Sequence, residues 1–330
     1  MKKTQKRITR RKVPKAAKKP SLQQRFRSKV YLIKPWKFYI FSAALLLILC
    51  LFCYRYYTTF LMDSSINGSE VKEVYQHKIP HDVQKELDRK KQNNQLSEGI
   101  RVPILMYHYV EYVQDANDKT RIALNTPPFV LETQVKTLKE AGFTFMTASE
   151  LAEVLERKTA LPPHPVLLTF DDGYRDFYTY AYPILKKYNA KATQYVISGF
   201  LGYPNHLLPS QVQEIAKDSL VEIGAHTVHH VWLKGKSEKT AFHEVYQSKL
   251  DLEALIHKSV VSFAYPFGAF DLSAIQQVKD AGFTSSVSTI PGIIQKIDNR
   301  YFLYRIRPGG REGETLITFL NSVTYPTDKP

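Results

Sequence analysis

Cysteine is scarce in this chain, and its scarcity excludes one common way of stabilising a fold. The 330 residues contain two cysteines, Cys50 and Cys53, which lie in one apolar run. A Cys-x-x-Cys pair often indicates redox or metal chemistry, but in such a run two lipid-facing apolar side chains are the simpler interpretation. The rest of the chain has no cysteine, so it must be stable without disulfides.

Acidic residues are missing from the first 37 positions, where the positive charge of the chain is concentrated. Residues 1–37 hold 15 of the 46 lysines and arginines, so the remaining 31 are balanced by 31 acidic residues. Binding to nucleic-acid phosphates requires positive charge that is clustered where the ligand lies. A neutral body therefore argues against a nucleic-acid partner, although a nucleic-acid-binding role for the basic tail remains an alternative.

A run of 17 uncharged residues, 38–54, follows the basic tail and is rich in Leu, Ile, Phe and Ala. A run of this length predicts a short transmembrane helix. The excess of Lys and Arg before it predicts a cytoplasmic N-terminus and an extracellular body. A cleaved signal peptide is the alternative, which the long basic region and the lack of a small-residue cleavage site disfavour.

The polar stretch 55–99 has few apolar positions and contains a charged helical pattern at about 82–93. We expect a stalk here, with a membrane-proximal coiled segment as the alternative. In the body, residues 100–330, strand-like runs alternate with helical patterns, which predicts parallel strands covered by helices. The strands are expected at 102–107, 166–170, 192–197, 221–224, 262–264 and 284–287, and the helices at 131–141, 149–157, 175–188, 238–257 and 272–281.

Two adjacent carboxylates, Asp171 and Asp172, follow the expected strand 166–170 directly. Loops at the carboxyl ends of parallel strands are where functional sites are built. The pair has three interpretations: a structural turn with a helix cap, a pair of glycosidase carboxylates, or one metal ligand beside one base. Adjacent side chains diverge, which disfavours the glycosidase.

Three histidines, His226, His229 and His230, follow another predicted strand, at 221–224. His226 and His230 are four residues apart, so they share one face of a helical turn and can bind one metal ion. With Asp172 they make a set of two histidines and one carboxylate that leaves positions open for water and substrate. His229 is expected to point away from this site.

These two segments resemble the first two motifs of the polysaccharide deacetylases, carbohydrate esterase family 4. The matching stretches are Thr169-Phe170-Asp171-Asp172-Gly173 and His226-Thr227-x-x-His230. The resemblance implies a distorted (β/α) barrel of about seven strands, preceded here by one transmembrane helix. It also implies that Asp171 is the general base, and that Asp172, His226 and His230 hold a metal ion, usually zinc, with another divalent transition metal as the alternative.

The third motif of the family departs from its common form, Arg-x-Pro-Tyr. The equivalent stretch reads Phe263-Ala264-Tyr265-Pro266-Phe267-Gly268. The arginine that braces the catalytic aspartate is therefore missing, and Arg305 and Arg307 are the candidates to replace it. The resemblance implies that the backbone N–H of Phe267 is the oxyanion donor, with a purely structural turn as the alternative.

The last family motif, Leu-x-His, is also missing, because no histidine follows His257. His108, however, lies at the end of the first barrel strand. This arrangement resembles the permuted subgroup that includes poly-N-acetylglucosamine deacetylases and streptococcal cell-wall deacetylases, in which an early histidine is the general acid. In a closed barrel the first and last strands are neighbours, so His108 can occupy the missing position.

Two further groups of residues carry less information. Trp232 follows His230 and is expected either to stack on a sugar ring or to pack in the core. The remaining histidines have no partner by spacing and are expected at the surface or in local hydrogen bonds. They are His77, His81, His164, His206, His243 and His257.

The residues and the resemblance together predict a metal-dependent deacetylase of N-acetylglucosamine in cell-wall glycan, either peptidoglycan or the linkage sugar of a wall polysaccharide. A deacetylase of secreted poly-N-acetylglucosamine and a catalytically silent glycan-binding module are the alternatives. The expected location is the cell membrane of a Gram-positive bacterium, with the body outside. The sequence does not indicate an oligomeric state.

The predicted orientation has a direct test in intact cells. A protease added outside should digest residues 100–330 and leave the basic tail, residues 1–37, protected, because the expected span separates the two. Antibodies against tags at the two ends of the chain would report each fragment, and permeabilised cells are the control. A body that resists external protease until permeabilisation would favour the nucleic-acid alternative.

Overall fold

The computed structural model describes residues 78–323. The basic tail 1–37, the expected span 38–54 and the first part of the stalk lie outside the described residues and stay predictions. Among residues 78–323, no helix has both the length and the apolar character needed to cross a membrane.

The centre of the described region is a parallel sheet of eight strands that curls into a nearly closed barrel. Around the circuit the order is β10-β8-β7-β6-β5-β4-β2, and β3 pairs with the first half of β4. The strands are β1 (Ile100–Arg101), β2 (Ile104–Tyr107), β3 (Thr144–Met146), β4 (Pro165–Phe170), β5 (Ala192–Val196), β6 (Val221–Ala225), β7 (Ser262–Ala264), β8 (Ser285–Pro291), β9 (Ile294–Gln295) and β10 (Leu303–Arg305). The short strands β1 and β9 pair antiparallel in a separate sheet.

Backbone contacts between the first and last barrel strands close the circuit. The N–H of Met106 donates to the Ile306 carbonyl and the N–H of Ile306 donates to the Ile104 carbonyl, each at 2.9 Å. A parallel bridge joins Leu105 to Ile306. These contacts confirm the expected distorted (β/α) barrel of about seven strands, and they place the segment after β2 beside the segment after β10.

Helices surround the barrel and bury the outward faces of its strands. The described helices are α1 (His81–Gln92), α2 (Lys119–Leu124), α3 (Pro128–Glu140), α4 (Ala148–Leu155), α5 (Tyr182–Tyr188), α6 (Pro209–Lys217), α7 (Glu238–Ile256), α8 (Leu272–Asp280) and α9 (Gly313–Ser322). Side chains that alternate with the outward ones fill the barrel interior, among them Ile104, Leu167, Tyr195, Val287 and Leu303. This alternation directs every second residue of each strand toward the axis.

Most predicted elements are present within two or three residues of their expected bounds. The expected helix 175–188 differs, because it begins with a π-helical turn over Phe177–Ala181 before α5. Pro183 has no N–H to donate to a carbonyl four residues earlier, which favours a local change in the hydrogen-bond pattern. The sequence did not predict β1, β3, β9, β10, α2, α6 or α9.

The helix α1, which the sequence assigns to the stalk, packs on the body. Val83 is buried in the outer core and Leu87 packs against it. The Asp82 carboxylate accepts a hydrogen bond from the N–H of Leu272, the first residue of α8, at 2.8 Å. Asp298 accepts the N–H and hydroxyl of Ser97 at 2.8 and 2.7 Å. The segment 78–99 is therefore part of the folded unit.

Truncating Val83 tests this packing. We expect Val83→Ala to lower the free energy of unfolding by roughly 1 to 3 kcal/mol, because the side chain is 2% exposed and its methyl groups would leave a cavity. Lys85→Ala, at an exposed position of the same helix, is the matched control. Chemical denaturation measures both, and equal midpoints for the two variants would contradict the packing.

Candidate metal and catalytic site

The predicted site residues converge at the carboxyl-terminal mouth of the barrel. His108 follows β2, Asp171 and Asp172 follow β4, His226 and His230 follow β6, and Phe267 follows β7. These six side chains line one small cavity together with Tyr265 and Thr289. The structure thus brings together every residue that the sequence assigned to the site.

Asp172, His226 and His230 form a cluster with the geometry of a metal site. Their ligand atoms all lie within 4.8 Å of one another. The Nε2 atoms of both histidines approach the same oxygen, Oδ1 of Asp172, at 3.2 Å each. That oxygen is buried and accepts no hydrogen bond from the described residues.

The tautomer of His226 explains why a cation fits between these atoms. Its Nδ1 lies 2.7 Å from the carbonyl oxygen of Ala264, so Nδ1 carries the hydrogen, and in the neutral ring Nε2 presents a lone pair. A hydrogen bond from the far nitrogen of a histidine to a carbonyl is a common support for metal ligands. One divalent cation would satisfy both imidazoles and the carboxylate. Protonation of both imidazoles would instead place two positive charges next to each other.

The loops that carry the ligands have unusual backbone conformations. Asp172, Thr227 and His230 have φ values of 71°, 64° and 54°. Non-glycine residues in the left-handed region cost energy and are common where a functional side chain must be aimed. Glu244 supports the histidine loop by accepting the N–H groups of Val228 and His229 at 3.1 and 2.9 Å.

His229 points away from the cluster, as expected. Its Nδ1 lies 2.8 Å from Oε1 of Glu244, and its side chain is 44% exposed. It is therefore a support of the loop and does not reach the metal ligands.

A buried ion pair holds Asp171, the predicted base. Arg305 donates from Nη1 to Oδ1 and from Nη2 to Oδ2 of Asp171, each at 2.7 Å. The same guanidinium donates to the Ser288 carbonyl at 2.7 Å and to the Thr169 hydroxyl at 3.2 Å. Of the two candidates, Arg305 and not Arg307 therefore fills the place of the missing third-motif arginine.

This pair controls the charge of the carboxylate. Burial by itself raises the pKa of Asp171, but the charge of Arg305 and its hydrogen bonds outweigh burial and hold the pKa below its ordinary value. The carboxylate is therefore ionised near neutral pH and fixed in orientation by a bidentate contact.

His108 lies beside the same carboxylate. Its Nε2 is 3.9 Å from Oδ2 of Asp171, and its side chain is 7% exposed. Burial lowers the pKa of His108 to about 4, although Asp171 and Asp172 act in the opposite direction. Burial therefore favours the neutral imidazole near pH 7, and the ring must gain a proton before it acts as an acid.

Phe267 lies on the opposite side of the cavity, in a tight turn after β7. Its φ is 58°, and its ring centroid is 4.5 Å from that of His230 and 6.0 Å from that of Trp232. The following residue, Gly268, has a φ of +66°, and a Cβ there would lie 2.0 Å from Oγ1 of Thr289. The turn therefore requires glycine next to Phe267. Trp232 is half-buried against this turn.

Three residues near the ligands were not singled out by the sequence. Thr289 lines the cavity. Tyr174 follows the aspartate pair closely, and burial raises its pKa, which the Asp172 carboxylate raises further. Tyr109 stacks on Tyr174 with ring centroids 3.9 Å apart. In the sequence, only their positions could have indicated that these tyrosines lie near the site, because Tyr109 follows His108 and Tyr174 follows Gly173.

Comparison with known proteins gives the same picture. A family model described as polysaccharide deacetylase matches residues 158–286. YxkH of Bacillus subtilis, which is named for the same family, is 30% identical over 224 residues, covering 68% of this chain and 77% of YxkH. The poly-β-1,6-N-acetyl-D-glucosamine N-deacetylase of Staphylococcus aureus is 30% identical over 188 residues, which cover 53% of this chain and 64% of that protein.

A solved structure extends the likeness to the fold. The Streptococcus pyogenes deacetylase PplD, in complex with acetate, aligns with a TM-score of 0.63 at 31% identity, covering 67% of this chain and 99% of PplD. These likenesses define the class of the protein, a hydrolase that acts on the carbon–nitrogen bond of N-acetyl groups. The chain belongs to the polysaccharide deacetylase family, as its motifs indicate.

The buried ion pair can be measured by a double-mutant cycle. Arg305→Met should lower the free energy of unfolding by about 3 to 5 kcal/mol, because it leaves the Asp171 carboxylate buried without its partner. In an Asp171→Asn background the same change should cost clearly less. Chemical denaturation of the wild type, the two single variants and the double variant gives the coupling free energy between Arg305 and Asp171.

Arg300→Met is the matched control for this cycle. Arg300 pairs with Glu156 at a site where both side chains are partly exposed, so its loss should cost about 0 to 1 kcal/mol. Losses for Arg305→Met and Asp171→Asn that add in full would show that the pair is not coupled.

Proposed function

We propose that this protein removes acetyl groups from N-acetylglucosamine residues of cell-wall glycan, in a reaction that depends on a metal ion held by Asp172, His226 and His230. The observation that carries the proposal is the joint geometry of that cluster and the Arg305–Asp171 pair. Two imidazoles converge on one carboxylate oxygen, and a fixed carboxylate lies beside them.

Zinc suits this set of donors. Two histidine nitrogens and one carboxylate oxygen are a common protein set for catalytic zinc, and they leave coordination positions open. When bound, such a cation would act as a Lewis acid toward the acetamide carbonyl and would lower the pKa of a water molecule. Cobalt or another divalent transition metal would satisfy the same donors.

The remaining chemistry belongs to the residues of the chain. Asp171, ionised and oriented by Arg305, accepts the proton of the attacking water. That proton passes from Asp171 to His108, whose Nε2 is 3.9 Å from Oδ2 of Asp171, and His108 donates it to the nitrogen of the leaving amine, so that both residues return to their starting states. The backbone N–H of Phe267, on the opposite wall of the cavity, stabilises the negative charge that develops on the acetyl oxygen.

The predicted membrane anchor supports a wall-associated substrate, whereas one relative supports the second candidate. The S. aureus relative is named as a deacetylase of poly-β-1,6-N-acetyl-D-glucosamine. A chain anchored by residues 38–54, with its body outside the cell, would reach glycan close to the membrane. Peptidoglycan or the linkage sugar of a wall polysaccharide is therefore the proposed substrate, with secreted poly-N-acetylglucosamine as the second candidate.

A silent glycan-binding module is the other alternative, and specific observations oppose it. The two family positions that the sequence lacks are the third-motif arginine and the late histidine. Arg305 supplies a bidentate contact to Asp171, and His108 lies within 3.9 Å of the same carboxylate. The site thus has a residue for each chemical task.

A single substitution separates metal binding from catalysis. Asp171→Asn in the full-length protein should retain one bound metal ion per chain, because Asp171 is not among the three ligands, yet it should reduce acetate release by at least about a hundredfold. Metal content is measured by elemental analysis, and acetate with a coupled assay. Removing the metal with a chelator should abolish the wild-type activity, and adding Zn²⁺ should restore it.

The substrate is identified in cells. Free amines are compared on purified peptidoglycan, wall polysaccharide and exopolymer from cells with the protein, without it, and with the Asp171→Asn form. More free amine on one wall fraction, only with the wild type, is the expected result. An Asp171→Asn protein that restores the amines would reject the assigned base, and no change in any fraction would reject the proposed function.

A further inference from the structure

A buried glutamine lies on the packed face of α3. The buried residues of this helix are Pro128, Val130, Leu131, Gln134, Val135 and Leu138. Gln134 is the one polar side chain among them, and it is 0% exposed. Burying an amide costs free energy unless its polar atoms are hydrogen-bonded. A glutamine in this apolar face must therefore have partners of its own.

The carboxamide of Gln134 joins two segments that lie far apart in the sequence. Its Oε1 accepts the Tyr107 hydroxyl at 2.9 Å, and its Nε2 donates to the Gly309 and Arg311 carbonyls at 2.8 Å each. Carbonyl oxygens only accept hydrogen bonds, so the nitrogen must face them and the oxygen must face the hydroxyl. The amide is therefore held in one orientation by the segment after β10.

Tyr107, the partner of this amide at the end of β2, lies between the two residues that move protons in the proposed reaction. It directly precedes His108, and its carbonyl accepts the N–H of Asp171 at 3.0 Å. Its ring stacks on that of Phe170 with centroids 5.0 Å apart and an interplanar angle of 18°. The position of Tyr107 therefore sets how far His108 lies from Asp171.

The gap between His108 and Asp171 makes the reaction sensitive to small movements. Nε2 of His108 is 3.9 Å from Oδ2 of Asp171, whereas a proton is passed directly over roughly 2.6 to 3.2 Å. A proton crosses this gap only when the two atoms approach each other or a water molecule bridges them. A misplacement of about 1 Å at such a point can cost about a hundredfold in rate.

We propose that Gln134 is a positioning residue, which holds the Tyr107 hydroxyl so that His108 can take a proton from Asp171 and deliver it to the leaving amine. The inference rests on the proposed function, because it assigns a support to the acid of that reaction. Gln134 does not line the catalytic cavity of the described region. It acts through Tyr107, and the carbonyls of Gly309 and Arg311 are its anchor.

The chain contains a matched control, because a second glutamine is equally buried and makes three hydrogen bonds. Gln295 is 0% exposed. Its Nε2 donates to the Val102 and Tyr304 carbonyls at 3.2 and 2.9 Å, and its Oε1 accepts the N–H of Tyr304 at 3.1 Å. Gln295→Leu thus removes a similar set of bonds at a place where neither partner adjoins His108 in the sequence.

Two acetyl substrates separate a fault in the acid from a general loss of structure. The N-acetyl group of a glycan is cleaved from an amine, which must be protonated as it leaves, whereas the phenolate of para-nitrophenyl acetate leaves without an acid. Loss of the base or the metal lowers both rates, so their ratio reports the acid. The measurements use the zinc-loaded full-length protein, and the glycan is the β-linked pentamer of N-acetylglucosamine.

Gln134→Leu should lower the ratio of kcat for the pentamer to kcat for the ester about ten- to hundredfold, with KM for the pentamer changed less than about twofold. His108→Ala should lower the same ratio at least as far. Asp171→Asn should lower both rates, and Gln295→Leu should keep the wild-type ratio even where it lowers the stability.

Tyr107→Phe is the second variant, because it removes one hydroxyl and keeps the ring stack and the anchor of the amide. The ratio should fall about three- to tenfold, the effect of one lost hydrogen bond. Should Gln134→Leu not fold, this variant decides the question. A wild-type ratio in either folded variant would overturn the inference.

Crystal structures of the wild type, Tyr107→Phe and Gln295→Leu distinguish failure of this inference from failure of the proposed function. The His108 ring should shift or take a second orientation relative to Asp171 in Tyr107→Phe and not in Gln295→Leu. That result supports the positioning role even if the wild type releases no acetate from the pentamer and the proposed function is rejected. An unmoved His108 overturns the inference, even if the wild type deacetylates the pentamer.

Discussion

The bidentate contact between Arg305 and Asp171 is the interaction on which the site depends. A carboxylate that is 3% exposed cannot stay ionised without a partner. The partner comes from the opposite end of the barrel sequence, and it reaches Asp171 because β10 closes the circuit against β2. The charge state of the base, Asp171, therefore depends on closure of the barrel.

The same closure explains how this chain can lack the third-motif arginine and the late histidine of its family and still have side chains at both places in the cavity. At the barrel mouth, the role of a side chain depends on where it lies in space and not on where it lies in the sequence. The segment after β2 and the segment around β10 are neighbours, so His108 can stand where a late histidine is missing. Arg305 likewise takes the place of an arginine that other members carry near β7.

The sequence predicted the barrel and the metal cluster because both rest on local patterns. Asp171, Asp172, His226 and His230 lie in short motifs at strand ends, where the parallel order alone brings them together. Arg305 remained one of two candidates, because residues two apart on a strand face the same side, and the choice over Arg307 depends on which arginine lies at the level of Asp171. The stack of Tyr109 on Tyr174 was not predicted, because the two rings come from separate loops.

The register of the last strand has a consequence for the synthesis of the protein. The site draws on residues from His108 to Arg305, so nearly two hundred residues must be in place before the base has its counter-charge. Contacts of such long sequence separation form late in folding. A chain that ends before β10 would contain the three metal ligands and Asp171 and still lack the arginine that keeps Asp171 ionised, so activity would report that β10 has been synthesised and has docked.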